Sequence, residues 1–265
     1  MPLQPRPRGA LWIGVAGKGG SGKSVLSGTL ARVLARRGHH VLAIDSDPMP
    51  GMAHSLGVVE PDQPLLMGAA EKPEKGPWRL RSGVGPMTVV RRYTTPAPDG
   101  VRMLQLGKSG TQGLSPINGS VNAFLGTVRR MHEARSLHGW VVVGDLPAGP
   151  RHLAAGFSPY ARIYVIVVEP TSQSALTGRR VARIARGPLG AEVIFVASKV
   201  READDRRRVE RLLGEPVDFE LPADPAVVDA ERRRVAVIDA APDAPIVRAV
   251  EGLADIIEQR GMEST

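Results

Sequence analysis

The stretch Gly17-Lys18-Gly19-Gly20-Ser21-Gly22-Lys23-Ser24 constrains this chain more than any other. It fits G-x-x-x-x-G-K-[ST], the pattern of a phosphate-binding loop. An apolar run, Leu11 to Ala16, precedes it and reads as a buried strand. Val25, Leu26, Leu30, Val33 and Leu34 follow at helical spacing within Val25 to Arg37. Glycines at 17, 19, 20 and 22 let backbone N–H groups, Ser21 and Val25 included, converge on phosphate oxygens with no Cβ in the way. The start of the helix adds unpaired donors and the positive end of its dipole. In that geometry Lys23 reaches the β- and γ-phosphates and the Ser24 hydroxyl ligates Mg²⁺. Gly107-Lys108-Ser109 repeats G-K-S, but position 102 is Arg and no helix-periodic segment follows at once, so we set it aside.

The rest of the chain supplies partners for this unit. Val41 to Ile44 is a second apolar run and ends in Asp45-Ser46-Asp47-Pro48. Trp140 to Gly144 is another and ends in Asp145-Leu146-Pro147-Ala148-Gly149. Acids at the carboxyl ends of strands point into the ligand crevice of an open α/β sheet. Asp145 fits a carboxylate holding Mg²⁺ through its water shell. Asp47 either polarises a water beside the γ-phosphate or caps the following helix. Further strands are expected at Val101 to Leu106, Ile163 to Val168, Val193 to Ala197 and Pro216 to Glu220. Helices are expected at Gly51 to Gly57, Val121 to Arg135, Ser172 to Arg186 (capped by Thr171 or Ser172), Ala226 to Arg234 and Ile246 to Arg260. Alternating strands and helices imply a single α/β domain, with a doubly wound, mostly parallel sheet flanked by helices.

Composition sets outer limits. The chain has 265 residues, 42% hydrophobic, which suits one α/β domain, here 10–262, after a flexible lead at 1–9. It has no cysteine, hence no disulfide, thiolate metal site or thiol nucleophile, which suits a reducing cytoplasm. No apolar run approaches the ~20 residues needed to span a bilayer. Residues 58–100 are rich in Pro, Gly and charge and read as a variable insertion, with Thr88 to Arg91 as a possible edge strand. The net charge is +8, and Arg206-Arg207-Arg208 and Arg232-Arg233-Arg234 concentrate part of it. Such clusters are either solvated helix faces or a surface for nucleic acid.

Lys18 adds a second lysine to the loop, at a position from which it cannot easily reach the phosphates that Lys23 serves. The string K-G-G-x-G-K-[ST] resembles the deviant Walker A motif of the MinD/ParA group of P-loop ATPases, and D-x-D-P at 45–48 and D-x-P-A-G at 145–149 resemble two further motifs of that group. The resemblance implies a homodimer closed around ATP, with Lys18 crossing to the partner's nucleotide. It implies that Asp47 orients the attacking water and that Asp45 supports the loop and the Mg²⁺ shell. It places Ser198-Lys199 where the group carries Asn-Lys, whose Asn reads adenine. Leu221-Pro222-Ala223-Asp224-Pro225 then resembles the loop that packs on the base, so Ser198, Lys199, Pro222 and Asp224 are candidate base-side residues.

One branch is most similar, the CooC-type ATPases that assist nickel insertion into carbon monoxide dehydrogenase. Its C-x-C-P motif corresponds to Gly113, Leu114, Ser115 and Pro116, without either sulfur ligand, so nickel binding is not carried over. Val25, where a second Thr is common, Met49, and Arg151, where the branch tends to have Glu, are further departures. The expected function is an Mg-ATP-driven dimeric switch with slow, partner-regulated hydrolysis, acting on an unidentified protein client. The alternative is a ParA-like protein that binds DNA without sequence preference in its ATP state.

Overall fold

The structure is a computed structural model that describes residues 11–47, 51–58, 65–107 and 114–263. The readings made at 1–9, Pro48, Met49 and Gly113 lie outside these residues. The chain opens as β1 (Trp12–Gly17), α1 (Lys23–Arg36), β2 (His40–Asp45) and α2 (Met52–Leu56). A small hairpin, β3 (Ala70–Glu71) with β4 (Arg79–Leu80), then α3 (Pro86–Arg92) and β5 (Thr95–Pro96), lead to β6 (Arg102–Gln105). Next come α4 (Leu114–Val128), β7 (Trp140–Asp145), α5 (Arg151–Ala154), β8 (Ile163–Val168) and α6 (Ser172–Arg186). The chain continues as β9 (Glu192–Val200), α7 (Ala203–Leu213), β10 (Phe219–Pro222), α8 (Pro225–Arg233), α9 (Val237–Ala240) and α10 (Pro245–Glu263).

Eight strands form one sheet in the order β10-β9-β8-β1-β7-β2-β6-β5, parallel throughout except for the β5–β6 edge pair. This is the doubly wound, mostly parallel architecture that the alternating pattern implies. Its central strands are apolar on both faces because helices cover both. The pleat sends Trp12 and Ala16 of β1 to one core and Ile13 and Val15 to the other. Leu26, Leu30 and Leu34 of α1 and Val250, Leu253 and Ile257 of α10 close the second core. Phe124 of α4, Ala182 of α6 and Val209 of α7 close the first.

Two glycines give this centre its shape. Gly14 of β1 lies in register with Gly144 of β7, and the missing Cβ atoms leave a trough. Tyr164 packs into it so closely that a Cβ on Gly14 would lie 3.0 Å from its ring, and the Tyr160 hydroxyl occupies the space that a Cβ on Gly144 would need.

Several boundaries differ from the sequence expectation. Thr88 to Arg91 is not an edge strand but part of α3. Gly85-Pro86 starts that helix with proline in its first turn, and Val89 and Val90 are buried on its inner face. The edge falls to β5 instead. α4 starts at Leu114, before the expected Val121, because Pro116 sits in the first turn, where a missing N–H leaves no bond unmade. It also stops at Val128, and two short 3₁₀ turns replace the expected end at Arg135. The last strand is Phe219–Pro222 rather than Pro216 to Glu220, since Val217 is drawn into the core. α5, α7 and α9 were not foreseen.

The described part of the insertion, 65–100, packs over α4. Leu80 presses on Gly126, where an added Cβ would meet it at 2.9 Å, and Met67 and Trp78 press on Gly119. A buried guanidinium ties α1 to two later segments. Arg32, 2% exposed, bonds Asp99 at 2.5 Å and Asp239 at 2.6 and 2.8 Å. Burial opposes charge on Asp99, but bonds from Arg32 and Arg36 hold its carboxyl below the ordinary value. Among the described residues no helix is long and apolar enough to cross a membrane.

Candidate functional site

The glycine loop leaves β1 at the middle of the sheet and turns into α1. Gly20 and Gly22 sit at φ 80 and 93, the left-handed region that residues with a Cβ rarely adopt. Gly22 is the N-cap of α1 and makes no side-chain cap bond, so the amides of the first turn face the loop unpaired. The Ser21 hydroxyl is buried and has no partner among the described residues. Lys23, 8% exposed, lies across the loop and donates to the Lys18 carbonyl at 3.1 Å. Burial lowers its pKa, and the charges of Asp145, Asp47 and Glu169 work against that shift. The Lys18 side chain is half-buried, and among the described residues no carboxylate pairs with it.

β2 and β7 lie side by side with Asp45 in register with Asp145, so the sheet delivers both carboxylates to one place. Asp45 is fully buried and accepts the amides of Asp47 and Met52, each at 3.1 Å. It therefore braces the turn that carries Asp47. Burial and then the neighbouring Asp145 push its pKa up to about 7. Asp145 is pushed up to about 6 by burial, against a bond from Ser24 and the charge of Lys23. One of its oxygens, Oδ1, is buried without a partner among the described residues. Asp47 is half-buried, and its charge is felt at Lys23, Asp145 and His152. The loop after β7 is tied to the glycine loop, since Gly149 donates to the Gly17 carbonyl at 3.1 Å. Lys18, Lys23, Ser24, Asp45, Asp47 and Asp145 thus belong to one crevice at the carboxyl ends of β1, β2 and β7.

A cavity of about 690 Å³ continues this crevice past Gly22 and Val25, with Ser198, Lys199, Pro222 and Asp224 in its walls. The two polar groups expected to face a base are bonded inside the protein. Ser198 donates its hydroxyl proton to the Ser21 carbonyl at 2.9 Å. Asp224 accepts Ala226 at 2.9 Å with one oxygen and Ile246 at 3.0 Å with the other, capping α8 and α10 together. Lys199, held at φ 58, reaches back to the Gly20 carbonyl at 2.5 Å and to Glu169 at 2.7 Å. Glu169 thereby joins the site. Sequence reasoning passed it over, although it directly follows the apolar strand β8, close to the place that Asp145 holds at the end of β7. His152 was also missed. It stacks edge-on to Phe157 at 5.0 Å, and burial lowers its pKa.

The two arginine clusters lie on separate elements. Arg206 is half-buried and donates to the Val217 carbonyl at 2.6 Å, whereas Arg207 and Arg208 are exposed on α7. Arg232 pairs with Asp229 at 3.5 Å at the end of α8, beside exposed Arg233 and Arg234.

Known proteins resemble the chain over this same framework. A family model described as the CobQ/CobB/MinD/ParA nucleotide binding domain matches residues 12–233. The carbon monoxide dehydrogenase accessory protein CooC of Rhodospirillum rubrum is 28% identical over 249 residues, 87% of this chain and 90% of that protein. The cell division ATPase MinD of Pyrococcus furiosus superposes with a TM-score of 0.71 at 22% identity, covering 95% of this chain and 99% of that one. The septum site-determining protein MinD of Pyrococcus horikoshii, complexed with Mg-ADP, gives 0.71 at 18% identity over 97% and 99% of the two chains. At these identities the two structural matches speak for the fold.

Proposed function

The chain belongs to the CobQ/CobB/MinD/ParA nucleotide-binding family, and from that premise we propose that it binds and hydrolyses Mg-ATP as a homodimeric switch acting on a protein client in the cytoplasm. The observation that carries this reading is the convergence of Lys23, Ser24, Asp47 and Asp145 beside the unpaired amides of the first turn of α1. The residues fit the ligands. Among the described residues the Ser21 hydroxyl and Asp145 Oδ1 are buried polar atoms without partners, the first at the root of the glycine loop and the second next to Ser24. Such atoms are costly unless something pairs with them. Mg²⁺, when bound, supplies charge neutralisation at the phosphate oxygens, held by Ser24 and, through water, by Asp145.

The amides of the glycine loop and of the first turn of α1, Lys23 to Val25, bind the phosphates, and Lys23 exchanges the Lys18 carbonyl for phosphate oxygens. Asp47, positioned by Asp45, orients a water and accepts its proton as the new P–O bond forms and the bond to the β-phosphate oxygen breaks. Lys18, free of any described carboxylate, completes the partner's site across the twofold. Closing and reopening this dimer is the switch, and slow hydrolysis resets it. The CooC relative is named as an accessory protein of another enzyme, which favours a client of the assembly or maturation type. With no cysteine in the chain, we do not extend the proposal to a thiolate-held metal cargo.

The test is Lys18→Ala. Nucleotide affinity should stay within a few-fold while turnover falls at least tenfold and the Mg-ATP dimer disappears from light scattering. An unchanged turnover rate would remove Lys18 from the mechanism. A second reading, non-specific DNA binding in the ATP state, draws on exposed Arg179, Arg180 and Arg183 of α6 and Arg207 and Arg208 of α7, two helices that pack together. It requires ATP-dependent DNA affinity that drops steeply with salt.

A further inference from the structure

We infer that Glu169 is a positioning residue for the phosphate loop and acts on it through Lys199. The inference rests on the reading that phosphates bind at that loop. The loop needs outside support. Gly19, Gly20 and Gly22 flank its central peptides, and glycine lets a peptide plane turn over at little cost. A flip between Gly20 and Ser21 would aim a carbonyl oxygen, instead of an N–H, at the phosphate oxygens.

Two side chains of β9 oppose that flip. Ser198, 4% exposed, donates to the Ser21 carbonyl at 2.9 Å, and the Lys199 ammonium donates to the Gly20 carbonyl at 2.5 Å. The described peptide bonds are trans, so each N–H points opposite to the C=O of its own peptide group. Holding the carbonyls of Gly20 and Ser21 towards β9 therefore turns the amides of Ser21 and Gly22 away from it. The Ser21 amide accordingly meets the Lys18 carbonyl at 3.3 Å, the same group on which Lys23 rests.

The two tethers are held differently. Ser198 is packed in place, but the Lys199 side chain is 47% exposed. A solvated cation on a long flexible stem does not stay on one carbonyl unaided. Glu169 supplies the pin. Its side chain is only 16% exposed and meets the ammonium at 2.7 Å. Its backbone is fixed in turn by the first turn of α6, where Ser174 Oγ accepts the Glu169 amide at 3.0 Å. Lys199 itself sits at φ 58, and the β9–β10 register slips between Glu220 and Pro222, the partners on either side of it. α6, Glu169, Lys199 and Gly20 thus form one chain of contacts that ends on the loop. Plain electrostatics predicts the opposite role for this acid. The charge of Glu169 is felt at Lys23, so a carboxylate there repels phosphate, and its removal alone should tighten binding. Pin and charge give effects of opposite sign.

The experiment is competition of ATP, and separately of inorganic tripolyphosphate, against a fluorescent methylanthraniloyl-ADP probe on the full chain with Mg²⁺. Glu169→Ala should weaken both competitors by about fivefold, the loss of one charge-assisted tether. Tripolyphosphate carries no base, so an equal loss assigns the effect to the phosphate loop. Lys199→Met should cost at least as much, and adding Glu169→Ala to it should weaken binding by no more than about a further twofold. Glu169→Gln, which keeps an acceptor but no charge, should lose less than Glu169→Ala, and it carries the test should the alanine variant not fold. Unchanged or tighter binding in the Glu169 variants overturns the inference. A loss confined to ATP does so too, as does a double variant whose loss is the product of the single ones. Binding of neither competitor by the unaltered chain, or binding that survives Lys23→Ala, would instead overturn the nucleotide reading beneath it.

Discussion

Two places among the described residues bury charge, and they are opposites. Around Arg32 the electrostatics are complete. Its guanidinium meets Asp99 and Asp239, its pKa is raised because those bonds outweigh burial, and Asp99 is lowered. At the ends of β2 and β7 the electrostatics are open. Asp45 and Asp145, buried to 0% and 1% exposure, are both pushed up, and Asp145 keeps an oxygen without a partner among the described residues. Both clusters join segments distant in the chain. A finished cluster holds structure together, whereas an unfinished one leaves room for a ligand to finish it.

Variants can press on that contrast, beginning with the largest expected effect. Lys23→Ala removes the one buried cation of the open cluster. It should cost at least a thousandfold in nucleotide affinity, about 4 kcal/mol, with the apo melting temperature nearly unchanged. A titration with a fluorescent methylanthraniloyl-ADP probe, beside a thermal melt, reads both.

Arg32→Met attacks the closed cluster and should reverse the pattern. Asp99 and Asp239 lose their buried partner and keep only Arg36, and stability should fall by about 3 kcal/mol, at the low end for a broken buried pair because both carboxylates are partly solvated. Nucleotide affinity should change by less than threefold. If urea denaturation finds no loss, the cluster is not structural.

The third effect is pH dependence without Mg²⁺ or nucleotide. The folded chain keeps protons on Asp45 and Asp145 between the ordinary carboxylate value of 3.8 and their raised values of about 7 and about 6. The unfolded chain has released them, so stability is full at the acid end and falls as pH rises through that window. The apo melting temperature should therefore drop by a few degrees from pH 5 to pH 7.5. Asp45→Asn should remove most of that slope, while a slope of opposite sign would contradict the burial argument.

The smallest effect belongs to charges in neither cluster. Arg207→Gln with Arg208→Gln should change stability by less than about 0.5 kcal/mol, as a denaturation curve would show.

The open cluster was legible in the sequence because its parts are local. A glycine loop between strand and helix, and acids that end apolar runs, are patterns of adjacent residues. The framework was legible for the same reason, and β1, β2, β7 and β8 fall within a residue or two of their apolar runs. The closed cluster was invisible. Arg32, Asp99 and Asp239 are joined only by folding, and nothing near any of them marks the others. α3 was misread because Val89 and Val90 resemble a strand, although Gly85-Pro86 carried a helix-start signal that outranks them. α7 was passed over as a run of arginines, yet Glu202 and Asp205 form a capping box at its start. Sequence likeness also offered Ser198 and Asp224 as candidates for the base. It could not tell that their hydrogen-bonding groups would be claimed by Ser21 and by two helix starts.

Asp224 has one more implication. A single carboxylate fastens the first turns of α8 and α10. α8 forms a wall of the cavity past Gly22 and Val25, and α10 runs along α1 and β10. An outward swing of α8 that took Asp224 with it would leave the Ile246 amide at the start of the 19-residue helix α10 without its acceptor. The two helices therefore share one fastening, and a change at the wall of the cavity bears directly on the first turn of α10.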